Sequence, residues 1–469
     1  MPREVTHWPA MQRDVLLSPR AGGSSVLRWV VLPYLYVSLL FYVVVQVQEA
    51  VFGQIFVMHQ HIRIVGLVGA FIAAAAYVLR RSKVRLRRPR LLLLSIAYCG
   101  FVLFDFGFKL ARGNVPPAAA VYGETYLYFF ALLIPLMIVM SDNESLGLTV
   151  LTERGAFRTI YLIAIPIFLL GYAQVLFNRS ILTLGDEAAG YVVQVPTRTD
   201  ISQVRAFSVF GSGFTYGHFI TLVGALATAY LVLRRRDVKR WVFAALLAAA
   251  ALAAASTMTR NTYLEFVVSV GAVVLIPWAM RRGATNGVVV GASAVFAAMV
   301  YGLMIGFFVL TNVQARGLLS LSTFEIRLLG VAAVVTRYIL GASSSMTVLF
   351  GQGYIQGEKF AELQGIHPLL FDNTYVDVAL FSGIVGLLFF LLFFVALFCY
   401  CLDRFRQTGA YWWLALSGMY FSYPLVSCLN INTSALYLIT SIVIAYDIMA
   451  RRGQRNDPRT NAPLMVEKA

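Results

Sequence analysis

Continuous apolar segments recur along almost the whole chain, and they constrain its fold more than any other feature of the sequence. Each is about 17 to 25 residues long, which lets a helix cross a hydrocarbon core of about 30 Å. The period-2 alternation of a membrane β-barrel is absent from them. Only 13% of the residues are charged, against about 25% in an ordinary soluble domain. The sequence therefore predicts an all-α integral membrane protein.

The segments predict about twelve transmembrane helices. The earlier ones are Arg28–Gln48, Ile62–Tyr77, Leu91–Phe108, Thr125–Met140, Phe157–Phe177, Phe207–Leu233, Trp241–Ala255, Thr262–Met280 and Val288–Thr311. After a long polar segment come Tyr375–Tyr400, Tyr411–Cys428 and Thr433–Ala450. The chain thus divides into an N-terminal tail (1–27), a first set of helices (28–311), a large loop (312–374), a second set of helices (375–450) and a C-terminal tail (451–469).

Clusters of Lys and Arg between the apolar segments predict the orientation. With twelve spans, every cluster falls on the same side as the N-terminus, and the positive-inside bias makes that side cytoplasmic. Both termini are then cytoplasmic, and the arginines of the polar N-terminal stretch argue against a cleaved secretory signal. The net charge of +16 indicates contacts with anionic lipid heads rather than nucleic acid, because the basic residues do not line one face. The clusters are Arg80–Arg90, Arg234–Arg240, Arg281 with Arg282, Arg404 with Arg406, and Arg451 with Arg452.

The large loop at 312–374 falls on the opposite, external face. Within it, Leu321–Ile339 is apolar and helical in pattern but contains Glu325, Arg327 and Arg337. A charge at mid-bilayer costs about 2.5 to 3.5 kcal/mol on insertion scales. We therefore expect this helix to lie at the membrane interface rather than to span it.

Two arginines on the external face oppose the positive-inside bias. Arg205 immediately precedes a glycine-rich stretch, Ala206–Gly217, and Arg260 lies in the polar turn Ser256–Tyr263. Guanidinium groups bind phosphate oxygens in a bidentate way and keep their charge when partly desolvated, so the two would suit a diphosphate at the membrane surface. Alternatively, each arginine snorkels to the lipid head groups or caps a helix C-terminus.

Asp372 is the candidate general base. It lies at the mouth of the Tyr375–Tyr400 span beside Asn373, and an ordinary aspartate, with a pKa of about 4, is already ionised at neutral pH. The alternative is a helix N-cap, in which the side chain accepts backbone N–H bonds. His367 is a candidate second proton carrier or simply a solvated loop histidine. The same loop carries Gly351-Gln352-Gly353.

Small residues and cysteines fit a packing role. Gly213 with Gly217, and Gly383 with Gly386, have the spacing of helix-packing positions. The cysteines show no paired metal-ligand spacing, and the chain has neither a Walker loop nor a dinucleotide fingerprint. The sequence therefore predicts no metal and no cofactor. The cysteines are Cys99, Cys399, Cys401 and Cys428.

The order of these features resembles the O-antigen ligase and O-antigen polymerase superfamily of bacterial membrane glycosyltransferases. The resemblance covers about residues 200 to 400 and comprises the Arg205 stretch, the Ser256–Arg260 turn, the arginine-bearing external loop, and Asp372 to Tyr375 followed by Gly383 and Gly386. It implies a GT-C-like fold in the bacterial inner membrane and transfer of an oligosaccharide from undecaprenyl diphosphate on the periplasmic face. Ligases usually have histidine where this chain has Asp372, whereas a carboxylate is similar to polymerases. A polymerase is favoured, and a ligase acting on lipid A-core is the alternative.

The resemblance also implies roles for the site residues. Arg205 and Arg260 would neutralise charge on the departing diphosphate, and Asp372 would take the proton from the acceptor hydroxyl during inverting transfer. The implied partners are the lipid-linked oligosaccharide, membrane lipids, a chain-length regulator and a flippase. The substrate contacts would come from Arg327, Arg337, Asn373, Tyr375 and His367.

Other functions fit parts of the sequence. A secondary transporter or lipid flippase also has about twelve spans, but no repeat of the two halves is visible. Asp105 and Glu265 are the candidate mid-span charges for such a carrier, and both fall toward span ends. A non-catalytic assembly factor for envelope polysaccharide is a third hypothesis, and it predicts that Arg205 and Asp372 are dispensable.

Overall fold

A computed structural model of the chain describes the central helices and a few connections. It covers residues 89–111, 153–179, 192–194, 202–204, 206–208, 210, 213–233, 240–311, 345–351, 374–409 and 411–427, with isolated positions at 68, 69, 71, 72, 75, 78, 79, 134 and 336. Helices account for almost all of these residues.

The helices follow the apolar segments of the sequence. They are α1 (Pro89–Ala111), α2 (Glu153–Leu176), α3 (Gly213–Leu233), α4 (Arg240–Ser256), α5 (Arg260–Arg281), α6 (Asn286–Thr311), α7 (Ser345–Phe350), α8 (Thr374–Thr408) and α9 (Tyr411–Ser427). A short antiparallel ribbon joins β1 (Val192–Gln194) to β2 (Ser202–Val204), with Val192 opposite Val204.

Five of the described helices are long and apolar enough to cross a membrane, judged by length and composition. These stretches are Arg90–Ala111, Tyr216–Leu233, Asn261–Arg281, Asn286–Leu303 and Ser382–Arg406. Two further helices contain shorter apolar stretches, Ile160–Leu176 and Arg240–Ser256. Large apolar side chains are exposed on α1, α2, α6 and α8, as lipid-facing surfaces require. Among them are Leu103, Phe104, Leu162, Leu169, Val295, Leu303, Leu388 and Leu392.

α3, α5 and α9 form the centre of the bundle. α3 packs against α4, α5 and α9, and α9 also packs against α5 and α8. α1 lies on α8, α2 on α4, and α6 on α5. Because α3 is surrounded, its side chains from Ile220 to Tyr230 are almost all buried, whereas the outer helices keep one exposed apolar face.

One end of the bundle carries the described basic clusters, and we call it the basic end. Arg406 Nη2 donates to Ala284 O at 2.6 Å, and Asn286 Nδ2 donates to Asp403 Oδ1 at 2.9 Å. These bonds join the end of α8 to the α5–α6 connection. The Tyr230 ring lies 3.6 Å from the Phe243 ring and 5.2 Å from the Tyr411 ring, measured between centroids. The end of α3 and the starts of α4 and α9 therefore meet at the same end, which carries Arg240, Arg281, Arg282, Arg404 and Arg406.

We call the opposite end the polar end. There Ala206 N donates to Ser256 O, between the segment before α3 and the end of α4. Tyr301 OH donates to Leu425 O at 2.6 Å, which brings the second half of α6 to the end of α9. Gln174 bonds to Ser208 at the end of α2. The helices that these contacts join therefore alternate in direction along the chain, as consecutive spans would. The count of twelve and the GT-C-like architecture stay predictions.

The boundaries depart from the prediction at several points. α3 begins at Gly213 rather than at Phe207, because residues 206–208 form an irregular turn. α8 continues to Thr408 instead of ending at Tyr400, so its basic pair lies on the helix. The ribbon formed by β1 and β2 lies in a connection for which no strand was predicted. The predicted helices Arg28–Gln48, Ile62–Tyr77, Thr125–Met140, Leu321–Ile339 and Thr433–Ala450 lie outside the described residues or are described only at isolated positions.

Candidate functional site

A buried glutamine holds the turn that follows Arg205. Gln174 Oε1 accepts hydrogen bonds from Phe207 N at 3.1 Å and Ser208 N at 2.8 Å, while its Nε2 donates to Ser208 O at 3.1 Å. The Ser208 hydroxyl donates to Ile167 O at 2.8 Å. Gln174 and Ser208 are both fully buried. Gln174 thus satisfies backbone groups of the turn that have no helix or strand to bond with, and Ser208 ties the turn to α2.

Positive backbone φ angles occur in both arginine-bearing segments. Ser208 has φ 51° and Met258 has φ 49°. Non-glycine residues rarely adopt this conformation, and it persists where surrounding contacts enforce it, often at functional sites. Ser208 follows Arg205 by three residues, and Met258 precedes Arg260 by two. The strand β2 ends at Val204, so Arg205 lies between a paired strand and a fixed turn.

The two segments contact each other directly. Ala206 N donates to Ser256 O at 3.1 Å, which joins the residue after Arg205 to the last residue of α4. A Cβ on Gly213 would lie 3.1 Å from Thr259 Oγ1, and one on Gly217 would collide with Thr262. The predicted packing role of these glycines is confirmed, because both let α3 approach the start of α5.

The start of α5 has the character of an anion-binding helix end. Arg260 is the first residue of the helix, and Thr259 occupies the N-cap position without making a capping hydrogen bond. The Thr259 hydroxyl donates instead to Thr257 O at 2.8 Å. The Thr259 side chain therefore accepts no hydrogen bond from the first-turn N–H groups, although its carbonyl accepts one from Tyr263 N. A helix N-terminus attracts negative charge. This position disfavours a purely helix-stabilising role for Arg260, since a cation opposes the dipole there.

An ionisable pair is buried one to two turns inside the bundle from Arg260. His218 Nδ1 lies 2.7 Å from both carboxylate oxygens of Glu265. His218 is 5% exposed and Glu265 is 1% exposed. The pair joins α3 to α5, and the His218 ring also packs 5.1 Å from the Tyr423 ring of α9. The three central helices therefore meet at this pair.

The start of α8 lies at the same polar end. Tyr375 OH donates to Pro424 O of α9. Pro424 adjoins Tyr423, which packs on His218. α8 begins two residues after Asp372, so the chain that carries Asp372 enters the bundle close to the helices that follow Arg205 and Arg260. Of the residues predicted to contact substrate, Tyr375 is the one whose side chain the structure describes.

A second buried pair holds the start of the Gly351-Gln352-Gly353 motif. Lys109 Nζ lies 2.6 Å from Asp105 Oδ2 and donates to Phe350 O, also at 2.6 Å. Gly351 has φ 74°, and its N–H bonds Thr347 O at 2.8 Å, which ends α7. Gly351 therefore acts as a helix C-terminal glycine.

α7 in turn packs against a kink in α8. Gly383 has φ 69° and ψ −170°, which interrupts the helix, and the Leu349 carbonyl occupies the place where a Cβ would project. Gly386 lies one turn further along, where a Cβ would collide with the Ser382 side chain of the same helix. The packing role predicted for Gly383 is confirmed, whereas that of Gly386 stays a prediction. The kink at Gly383 was not predicted.

The remaining predicted site residues lie outside the described part of the chain. For Arg260 the structure describes the main chain, and for Arg205, Arg327, Arg337, His367, Asp372 and Asn373 it describes neither main chain nor side chain. Within the described ranges, no group of three or more His, Cys, Asp or Glu side chains could hold a metal ion. The roles assigned to these residues therefore stay predictions.

Sequence reasoning missed the residues that support the site. Gln174 is a lone amide in an apolar run, and that isolation is the signal that could have found it, because a buried amide needs partners. Glu265 and Asp105 were noticed as mid-span charges, but their partners His218 and Lys109 were not assigned.

Comparison of the chain with protein-family models and with curated proteins finds no match.

Proposed function

We propose that this protein polymerises oligosaccharide repeat units carried on a polyprenyl diphosphate, of the undecaprenyl type, at the external face of a bacterial inner membrane. The reaction is an inverting glycosyl transfer that lengthens an O-antigen or exopolysaccharide chain. Arg205 and Arg260 bind the diphosphate, and Asp372 is the general base.

The observation that carries the proposal is the contact between the two arginine-bearing segments at the start of α5. Ala206 N bonds to Ser256 O, and the Thr259 side chain makes no capping hydrogen bond to α5, whose first residue is Arg260. Two guanidinium groups and a helix N-terminus at one place would favour a multiply charged anion. A lipid diphosphate lying at the membrane surface fits that requirement.

The departing diphosphate requires charge neutralisation from the protein and little else. A polyprenyl diphosphate leaves readily, so the enzyme has to neutralise the charge that develops on the oxygen between the anomeric carbon and phosphorus. Arg205 and Arg260 supply this stabilisation, with Arg327 or Arg337 as a further contact. The C–O bond to the diphosphate breaks as the acceptor oxygen bonds to the anomeric carbon from the opposite face.

Asp372 accepts the proton that the acceptor hydroxyl loses. An ionised aspartate within hydrogen-bond reach of that hydroxyl increases its nucleophilicity as the new bond forms. Asn373, Tyr375 and His367 are proposed to orient the sugars. The Tyr375 hydroxyl is held by Pro424 O, so its proposed sugar contact is through the ring.

A transporter is the competing function, and the depth of the buried charges argues against it. Secondary transporters bind substrate near the bilayer midplane. Glu265 lies five residues after the start of α5, and Asp105 lies six residues before the end of α1. Both pairs therefore lie toward the polar end, where a surface active site would be.

The deciding experiment is reconstitution of the purified protein with a lipid diphosphate oligosaccharide. A polymerase produces a ladder of products, a ligase produces a single transfer to another glycolipid, and a transporter moves the substrate across vesicles without forming a glycosidic bond. A vesicle assay and a gel of the products, run on the same sample, separate the three outcomes.

Substitutions at the proposed site test the mechanism. Arg260→Ala removes one charge contact and is expected to lower the rate by about 10²-fold or more. Asp372→Asn keeps the shape but removes the base, with an expected loss of about 10²- to 10⁴-fold. If both variant proteins are made at normal levels and still produce full-length polymer, the mechanism is contradicted.

Matched controls come from the basic end. Arg282→Ala removes an exposed arginine, and Asp403→Asn replaces an aspartate that bonds Asn286. Neither residue is near the proposed site, so both variants are expected to retain polymer formation. A similar loss in these controls would assign the effect to protein stability instead of chemistry.

A further inference from the structure

We infer that His218 and Glu265 are positioning residues, which set the spacing between the Arg205 and Arg260 segments and so govern how tightly a lipid diphosphate binds. The inference rests on the proposed function and extends it to residues that contact neither the sugar nor the phosphates. It is carried by the place of the pair in the bundle.

Burying His218 and Glu265 costs more free energy than a purely structural contact between α3 and α5 would need. Taking a carboxylate and an imidazole out of water has a desolvation penalty that their mutual attraction often only balances. Apolar residues of similar volume would join α3 and α5 at least as well. Ionisable side chains inside membrane bundles are rare and usually functional, so the pair calls for a role beyond holding helices together.

The geometry places the pair between the helices that follow the two arginine-bearing segments. Glu265 is on the turn of α5 after the one that begins with Arg260, and His218 is on the second turn of α3. Immediately before His218, Gly217 lies against Thr262 with no room for a side chain. The two helices therefore lie close together beside the pair, and the contact of 2.7 Å between Nδ1 and the carboxylate links them there.

α9 connects the His218–Glu265 pair to α8. Tyr423 packs on the His218 ring, and the next residue, Pro424, accepts the Tyr375 hydroxyl bond. A change at His218 would therefore be transmitted to α9 and to the first turn of α8. A misplacement of about 1 Å can reduce the activity of a preorganised site by about 10²-fold, so the effect should be measurable.

The test measures the affinity of the full-length protein in detergent for undecaprenyl diphosphate, the product without sugar. His218→Ala and Glu265→Ala are each expected to weaken binding about tenfold or more at a temperature where both variants are folded. Glu265→Gln, whose amide can still bond His218, is expected to recover much of that loss. The matched control is Thr228→Val on the same helix, because Thr228 is buried and bonds only to Gly224 O of its own helix in the contacts described, and it should bind as the wild type does.

A double-mutant comparison separates positioning from simple destabilisation. In an Arg260→Ala background, His218→Ala is expected to cause little further loss of affinity, because the contact it positions is already gone. If the two losses multiply instead, or if His218→Ala and Glu265→Ala bind like the wild type, the inference is wrong. Absence of lipid diphosphate binding by the wild type itself would overturn the proposed function and the inference together.

Discussion

At the scale of single residues, the buried polar side chains make two kinds of hydrogen bond: some hold irregular backbone, and others bond carbonyls of their own helix. Gln174 provides three hydrogen bonds to the 207–208 turn, and Ser208 adds one to Ile167 O. Away from this turn, several buried hydroxyls bond carbonyls of their own helix, as Ser95 does to Leu91 O. The first kind of contact fixes a tertiary position, whereas the second only satisfies the side chain itself. This difference gives matched test and control residues.

Gln174→Ala should destabilise the protein and displace the turn beside Arg205. The substitution leaves Phe207 N and Ser208 N buried without their acceptor, and each unsatisfied group costs about 1 to 3 kcal/mol. We expect the free energy of unfolding to fall by about 2 kcal/mol or more, measured by thermal or denaturant unfolding in detergent. Polymer formation should fall as well, at a temperature where the variant is folded.

Ser95→Ala is the control for that experiment. It also removes a buried polar group, but the Leu91 carbonyl keeps its place in the α1 helix. The expected change is below about 1 kcal/mol. An equal effect of the two substitutions would show that the 207–208 turn does not depend on Gln174.

At the scale of elements, two glycines decide how α7 meets α8. Gly351 ends α7 with a positive φ, and Gly383 breaks α8 with a positive φ at the point where the Leu349 carbonyl contacts it. Lys109 of α1 holds the same end of α7 by donating to Phe350 O. A six-residue helix is too short to be stable alone, so its position depends on these contacts with α1 and α8.

Gly383→Ala should therefore disrupt this junction. An alanine at φ 69° and ψ −170° costs about 1 to 3 kcal/mol, because essentially only glycine adopts this conformation, and its Cβ would also displace the Leu349 carbonyl. We expect a lower melting temperature in detergent and a reduced rate of polymer formation, because the first half of α8 follows Asp372. Gly100→Ala in α1 is the control, since a Cβ there meets nothing within 4 Å and alanine favours the helix.

At the scale of the whole molecule, the bundle has two chemically different ends. The described basic clusters share one end, and both arginine-bearing segments, the two buried ionisable pairs and the start of α8 lie toward the other. The positive-inside bias predicts that the basic end is cytoplasmic. The proposed sugar transfer therefore requires the polar end to face outward.

Cysteine labelling tests this orientation. In a variant without the natural cysteines, Arg179→Cys places an exposed thiol just after α2 at the polar end, and Thr285→Cys places one between α5 and α6 at the basic end. A membrane-impermeant maleimide added to intact cells should label the first, and the second only after permeabilisation. The reverse pattern would put the basic end outside and remove the proposed external reaction.

Helix positions could be predicted from the sequence because hydrophobic length alone identifies a membrane span. Contacts between spans could not, since apolar runs such as Trp241–Ala255 have many equivalent ways to pack. The site shows the same division. The sidedness of Arg260 follows from counting charges, but the pairing of His218 with Glu265 depends on the rotation of α3 against α5, and no local pattern encodes it. The strained turns at Ser208 and Met258 were equally invisible, because neither residue is a glycine.

The late position of α9 in the sequence affects how the protein is made. α9 is enclosed by α3, α5 and α8, yet the ribosome completes all three before it reaches Tyr411. Until then the nascent chain holds His218 and Glu265 in the bilayer without the Tyr423 ring that later covers them. A chain that stops before Tyr411 would therefore lack both the last central helix and the aromatic ring that packs on His218.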